Sequence, residues 1–353
     1  MRFLGQLLKR LLILVLGLVL LLLAPVGYNE AMCRGTAPAA DTTYRPLITD
    51  PAQQRPEART LLTYPEWHIV HAYEDYAEVI RTGDPHDFGY FQSVAGFWTS
   101  LCSLSKTSAA HGGFPWETKQ MVYTIGVSFT AELALKALYE ETLGRLFAGL
   151  RGPERSPLDD LSAQQAADYA VFLQQVPWYR WDFRADAAAL RTARTDAPRD
   201  RERALALGLE FRAKAAYAGA IAAAVAGVGA DELTIRMIVT GARADLLASF
   251  TGITVIAERA EGIEIETPRY REFSRIVVAL ADAGATIIEV AGNDDILYTA
   301  LSSEPWASGE LIQFQRQGFG DYRHLFLVPV TQLTATLKGL KARGLTLEHV
   351  HDY

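Results

Sequence analysis

The feature that most constrains this chain is an uninterrupted apolar segment near its N-terminus. Residues 11–28 read LLILVLGLVLLLLAPVGY and carry no charged side chain. As an α-helix this segment would span about 27 Å, which is close to the thickness of the hydrocarbon core of a bilayer. Arg2, Lys9 and Arg10 precede it, and flanking positive charge favours the cytoplasmic side. The pattern predicts a single transmembrane anchor over residues 1–28.

A cleaved signal peptide is the alternative interpretation of the same segment. Its apolar run is longer than a usual signal core, and the small-x-small pattern Ala37-Pro-Ala39 lies well past its end. We therefore expect a single-pass protein of a bacterial inner membrane, with a cytoplasmic N-terminus and a periplasmic body.

The next two regions differ in their periodicity. Residues 29–59 are rich in Pro, Ala, Thr and Asp without any repeat, which predicts an extended tether. Residues 60–229 show helical spacing of apolar side chains and predict an irregular α-helical domain. Its last helix carries Gly219, Ala223 and Gly227 at every fourth position. Such a stripe lets another helix approach closely, either within this domain or from a second copy.

The C-terminal region, residues 230–353, alternates short apolar runs with turn residues and predicts strands. The pattern Leu-x3-Gly-x-Thr occurs at residues 280–286 and again at 340–346. We interpret this as a repeat of β-α-β type that builds a ferredoxin-like α/β sandwich, an antiparallel sheet with helices on one face. Residues 292–295 are expected to form a hairpin turn, and residues 310–330 an additional hairpin. The fold class predicted for the whole chain is α+β.

Composition excludes some partners and leaves other questions open. The net charge is −7, and no stretch concentrates Lys and Arg, so nucleic acid is not an expected partner. Cys33 and Cys102 allow one disulfide at most, and the sequence does not decide whether it forms. GxGxxG, P-loop and GxSxG motifs are absent, which argues against common nucleotide-dependent and serine-hydrolase mechanisms.

The densest polar pattern lies in a predicted helix. At 100° per residue, His68, His71 and Asp75 share one face. Imidazole and carboxylate are ligands that divalent metals accept, so these residues are a candidate metal site, with His111 as a further ligand. The HExxH spacing of zinc proteases is missing. The alternative is a solvated helix face opposite the apolar stripe.

A second cluster is aromatic and contains Trp178, Tyr179 and Trp181. These side chains suit the bilayer surface, the lining of a groove, or packing at a helix junction. We treat them as a candidate binding surface.

A third cluster follows a glycine-rich turn and contains Asp321, Arg323 and His324. It is either a functional loop or a polar hairpin tip. In the last predicted strand, period-2 alternation places His349 and His351 on the face that also carries Leu345 and Leu347.

Two functional hypotheses follow from these patterns. The first is a membrane-anchored envelope protein without catalysis, which binds a protein partner or a small ligand, or associates with itself. The second is a membrane-tethered metal-dependent hydrolase that uses His68, His71 and Asp75. The two differ in one geometric requirement, because a hydrolase needs these side chains to converge in an open pocket.

Overall fold

The computed structural model describes residues 2–36, 44–226 and 233–353. The chain is a mixed α+β protein that is mostly helical, and two antiparallel sheets form its C-terminal part. The predicted α+β class is therefore confirmed.

The N-terminal part is built from helices. They are α1 (Arg2–Met32), α2 (Arg59–Thr82), α3 (Tyr90–Ser108), α4 (Trp116–Tyr139), α5 (Arg145–Arg151), α6 (Pro157–Leu173), α7 (Phe183–Ala193) and α8 (Pro198–Ala226). A π-helical turn over Glu140–Gly144 joins α4 to α5. Ser156 caps the N-terminus of α6, and its hydroxyl and the Asp159 carboxylate form a capping box.

Helix α1 contains the apolar segment and runs beyond it to Met32. Most of its side chains between Leu11 and Leu23 are exposed, whereas Asn29 and Cys33 are buried. Cys33 forms a disulfide with Cys102 of α3, which settles the pairing that the sequence left open. Among the described residues, two helical stretches, Lys9–Met32 and Trp116–Arg151, have the length and composition to cross a membrane.

The described part of the predicted tether is packed against the body. Ile48 is completely buried, and its backbone amide donates a hydrogen bond to Glu289. The Tyr44 hydroxyl donates to the same carboxylate. Residues 44–58 are therefore bound along the sheet region instead of extending freely, because the buried Glu289 needs these donors. Residues 37–43 of the predicted tether lie outside the described residues.

The strands and the helices among them make up the C-terminal part. They are β1 (Thr234–Thr240), α9 (Ala244–Ala248), β2 (Thr254–Glu258), β3 (Ile263–Pro268), α10 (Arg271–Asp282), β4 (Thr286–Val290), β5 (Asp295–Ser302), β6 (Ile312–Gln315), β7 (Tyr322–Pro329), α11 (Val330–Gly339) and β8 (Thr346–His351). The first sheet has the order β2-β3-β1-β4 and the second β6-β7-β5-β8, with antiparallel pairing throughout.

The 60-residue repeat is thus a repeat of whole sheets, and not of two halves of one sandwich. Each repeat places its second, third, first and fourth strands side by side and has a helix before its fourth strand. Residues 292–295 connect the two sheets, so the expected hairpin there is wrong: β4 pairs with β1, and β5 pairs with β7 and β8. The expected hairpin at 310–330 is β6–β7, one edge of the second sheet.

One hydrophobic core joins the two repeats. It contains buried side chains from both sheets together with those of α10 and α11. The second sheet is also covered on its other face, where Leu297 and Leu325 pack against Leu61 and Tyr64 of α2. This sheet is therefore buried on both sides.

The small-residue stripe of α8 has no neighbour within the described chain at Gly219. A Cβ added there would meet no atom within 4 Å. Ala223 is exposed, and Gly227 lies outside the described residues. Close packing of another helix of this domain on Gly219 is not observed, and association with a second copy stays a prediction.

Candidate functional site

The three residues of the predicted metal site lie on a buried face of α2. His68, His71 and Asp75 are 8%, 2% and 7% exposed. The solvated face that was the alternative interpretation is wrong, because the second sheet packs against this side of the helix. Sequence periodicity could not show this, since a polar stripe is buried only when another element supplies partners for it.

The three side chains point to different partners. His68 Nε2 lies 2.9 Å from the carbonyl oxygen of Ser93, and burial lowers the pKa of His68 to about 3. His71 Nδ1 lies 2.8 Å from Glu74. Asp75 accepts a hydrogen bond of 3.0 Å from the backbone amide of Gln317. These three residues do not present their ligand atoms to one point.

Two other sets of side chains do converge. Within residues 2–36, 44–226 and 233–353, the groups whose ligand atoms lie within 4.8 Å of one another are His71, Glu74 and Glu348, and Glu57, His111 and Asp295. His111 therefore does not complete a site with His68, His71 and Asp75. It lies 3.1 Å from Glu57 and 3.5 Å from Asp295.

The residues of the predicted surface cluster lie in different environments, because Asp321 precedes strand β7 whereas Arg323 and His324 lie within it. Asp321 pairs with Arg316 at 3.0 Å, outside the strand. Arg323 and His324 are 2% and 0% exposed. They are consecutive residues of a strand that is covered on both faces, so these two do not form a binding surface.

Arg323 is instead the central cation of the interface between α2 and the second sheet. Its guanidinium binds both oxygens of Glu348, with Nε–Oε2 and Nη2–Oε1 distances of 2.5 and 2.7 Å. Its Nη2 also lies 3.9 Å from Glu74. Burial opposes the ionisation of Glu348, but Arg323 and His71 hold its pKa at about 2. Burial raises the pKa of Asp75 to about 6, and Arg323 only partly offsets this.

A β-bulge determines which residues of β8 face this interface. Thr299 pairs with His349 and Ala300 with Leu347, so Glu348 is an extra residue in the ladder. The bulge reverses the alternation, which leaves Leu347 against the common core while His349 lies against Trp67 at a ring distance of 3.6 Å. The expectation that Leu345 and Leu347 share a face with His349 and His351 is wrong for this reason.

The aromatic cluster has one member at a cleft. Trp178 lines a cleft of about 320 Å³ that lies beside α2. Trp181 instead packs on Tyr169 and donates its indole N–H to Asp186 at 2.6 Å. Tyr179 packs at the same helix junction, in contact with Trp178. Of the three uses considered for this cluster, groove lining describes Trp178, and packing describes Tyr179 and Trp181.

The cleft is formed by α2, α4, α6 and α8, together with the 175–178 turn and Tyr270. Its aromatic lining consists of Trp67, Tyr73, Phe129, Tyr169, Trp178, Tyr217 and Tyr270. Tyr217 is 47% exposed, which shows that the cleft opens to the surface. The ionisable side chains of the lining, apart from the tyrosines, are Glu66, Glu132 and Lys214.

A hydrogen-bonded network fixes one wall of the cleft. Lys214 Nζ lies 2.7 Å from Glu132 and 3.0 Å from Glu210. The Tyr73 hydroxyl donates to Glu132 at 2.6 Å. Burial alone would lower the pKa of Lys214, but Glu132, Tyr73 and Glu210 raise it well above its ordinary value. The ammonium is therefore a permanent hydrogen-bond donor in a mostly apolar cleft.

Sequence reasoning did not identify this cleft. Glu132 and Lys214 carried a usable signal, since each is an ionisable residue within or beside an apolar helical run. Such residues are costly to bury unless they pair or function. Their pairing across α4 and α8 depends on tertiary structure and was not visible in the chain.

Comparison with protein-family models, with curated proteins and with solved structures found no match to this chain. The indications of function therefore lie in the geometry of the cleft and of the interface between α2 and the second sheet.

Proposed function

We propose that this protein is a membrane-anchored, non-catalytic binding protein whose cleft takes an amphipathic small molecule. The observation that carries this proposal is the cleft itself, which combines a predominantly aromatic lining with the Lys214–Glu132 pair. Concave, mostly apolar sites with a few fixed polar groups are typical of small-molecule binding.

The lining indicates the chemistry of the ligand. Its aromatic rings would bury an apolar body of the ligand and favour it by the hydrophobic effect. Lys214 offers a hydrogen bond to an acceptor atom. The charge of Lys214 is already balanced by Glu132 and Glu210, so a fully anionic head group is disfavoured. The ligand class is an apolar molecule with an uncharged polar head.

The exposed apolar surface of α1 supports a membrane anchor, with the body attached to its C-terminal end. Asn29 and Cys33 lie buried against the body, whereas most side chains between Leu11 and Leu23 are exposed. The Cys33–Cys102 disulfide is typical of an oxidising compartment. Together with the positive charges before residue 11, this favours a bacterial inner membrane with a cytoplasmic N-terminus and a periplasmic body.

The strand order supports a finer description of the fold. In each repeat the second, third, first and fourth strands lie side by side, the order of a ferredoxin-like unit. The short helix α9 stands where such a unit has its first helix, and residues 303–311 replace it in the second repeat. On this description the C-terminal part is a pair of reduced ferredoxin-like units.

The same geometry argues against the hydrolase hypothesis. A catalytic metal needs an open coordination position for water and substrate. The His71 side chain is 3% exposed, and His68 and Asp75 are also buried. A substrate would have to separate α2 from the second sheet to reach them.

The test uses the full chain in detergent and three probes with the same type of cis-monounsaturated hydrocarbon chain: oleoylglycerol, oleate and oleylamine. We expect saturable changes in tryptophan fluorescence with oleoylglycerol, and at least tenfold weaker binding of the two charged probes. Ser128→Phe fills the cleft and is expected to abolish binding. Gln120→Phe adds the same ring to an exposed position of α4 outside the cleft and serves as the matched control.

Two results would reject the proposal. One is the absence of saturable binding for all three probes. The other is equal binding by Ser128→Phe and Gln120→Phe.

A further inference from the structure

The interface between α2 and the second sheet contains an imidazole nitrogen without a partner. His71 Nε2 has no hydrogen bond, although its side chain is only 3% exposed. It faces Glu348 Oε2 at 3.7 Å. On the other side of the same ring, Nδ1 lies 2.8 Å from Glu74. A buried polar atom left without a partner is costly, so this position calls for an explanation.

The arrangement around the ring is that of a metal-binding histidine. Ligating histidines usually donate their second N–H to a carboxylate, which fixes the tautomer and aims the other nitrogen at the metal. Glu74 is placed for this role. His71 Nε2 and Glu348 Oε2 lie 3.7 Å apart. With metal–ligand bonds of about 2.1 Å, the ligand–metal–ligand angle would be about 120°, which is compatible with zinc-type coordination.

The charge of the interface is consistent with a cation at this position. Glu74, Asp75 and Glu348 are three buried or nearly buried carboxyl groups, and Arg323 is the one guanidinium of the described residues that binds among them. The neighbouring Arg316 is paired with Asp321. When the three carboxyls are ionised, this set carries two uncompensated negative charges, and a divalent cation would balance them.

We propose that His71 Nε2 and Glu348 Oε2 bind a divalent transition-metal ion of the zinc class, with Glu74 orienting the His71 ring. The site is structural, because it is enclosed between α2 and the second sheet and has no access for substrate. His349 Nε2 also lacks a hydrogen-bond partner, but His349 lies outside this converging group. This inference does not depend on the cleft or its ligand.

The first experiment measures metal content by elemental mass spectrometry on the full chain in detergent, purified without a chelating tag. Wild-type protein is expected to hold a stoichiometric metal ion, which His71→Gln and Glu348→Gln lose. His68→Gln is the matched control, since His68 is a buried histidine one turn away on α2 outside the converging group. It is expected to retain the metal.

The second experiment uses only the wild-type chain, so that misfolding of a variant cannot decide the result. Removal of metal with a chelator is expected to lower Tm, and added Zn²⁺ to restore it. Absence of metal from the wild-type chain, together with a Tm that Zn²⁺, Mn²⁺ and Fe²⁺ leave unchanged, would overturn the proposal. Metal that survives in both His71→Gln and Glu348→Gln would overturn it as well.

Discussion

The two sheets share a topology and a bulge but differ in what covers their outer faces. The ladder of β4 skips Ile288, and the ladder of β8 skips Glu348, which lies 60 residues later. The first sheet is covered next to its bulge by the segment at residues 44–48, and the second by helix α2. The same backbone geometry therefore carries two different polar arrangements.

The residue after each bulge shows the difference. Glu289 accepts hydrogen bonds from the backbone amides of Leu47 and Ile48. At the equivalent place His349 meets the Trp67 ring and, at 2.9 Å, the Ser274 hydroxyl. An irregular segment has free backbone donors, whereas those within a helix are already used. Polar groups under α2 must therefore be matched by side chains.

The largest expected effect is on the second sheet. Arg323→Ala should reduce the free energy of unfolding by about 3–5 kcal/mol, because Glu348 and Glu74 would stay buried without their cation. Urea denaturation of wild-type and variant protein measures this. A loss below about 1 kcal/mol would show that the pair is not the main electrostatic support of the interface.

A smaller loss is expected when the cover of the first sheet is released. Glu289→Ala should cost about 1.5–3 kcal/mol, because the Leu47 and Ile48 amides lose a charged acceptor. Limited proteolysis should then cut within residues 44–58. Glu266→Ala removes a partly exposed carboxylate of the same sheet and is the control. Equal protease resistance of wild-type protein and Glu289→Ala would contradict this role.

The free energy of unfolding should depend on pH through Asp75 of α2, which covers the second sheet. The pKa of Asp75 is about 6 in the folded chain and about 3.9 when unfolded. The stability contributed by protonated Asp75 is therefore fully present below about pH 4 and is lost as pH rises through 6. Asp75→Asn has no titratable carboxyl group at this position, so its free energy of unfolding should not show this loss. The difference in unfolding free energy between wild type and Asp75→Asn should fall by roughly 2 kcal/mol from pH 4 to pH 7, and a flat difference would refute the assignment.

The smallest effect is expected at the ion pairs on the outer face of the first sheet. Arg236 binds Glu264 and Glu266 at 3.2 Å, but its side chain is 21% exposed. Arg236→Ala should cost about 1 kcal/mol, because the buried Glu264 keeps Arg259 as a second cationic partner. If Arg236→Ala lowered the free energy of unfolding as much as Arg323→Ala, ion pairs would support the two sheets equally, contrary to this prediction.

Part of the fold was readable from local pattern. The apolar helix, the helical region and the 60-residue repeat all follow from short-range periodicity, and each is present in the structure. The number of sheets was not readable, because strand runs carry no information about which distant strand they pair with. Residues 292–295 look like a hairpin turn for that reason, although they join two sheets.

The candidate sites could likewise be predicted only in part from the sequence. Sequence analysis selected His71 and Trp178 as residues of interest, but it grouped His71 with His68 and Asp75 and missed Lys214. Helical spacing gives the face of α2 on which His71 lies, but not the strand that packs there. Glu348 reaches His71 only because a bulge in β8 turns it towards α2.

By itself the sequence determined what depends on neighbours a few residues apart: an apolar N-terminal helix, helices before strands, and a duplicated unit of strands and helix. Tertiary structure alone decided the disulfide, the burial of Arg323 and His324, the packing of residues 44–58 and the cleft beside α2. The physical reason is that burial and pairing are properties of contacts between distant segments. A polar side chain looks the same in the sequence whether water, a carboxylate or a tryptophan ring will face it.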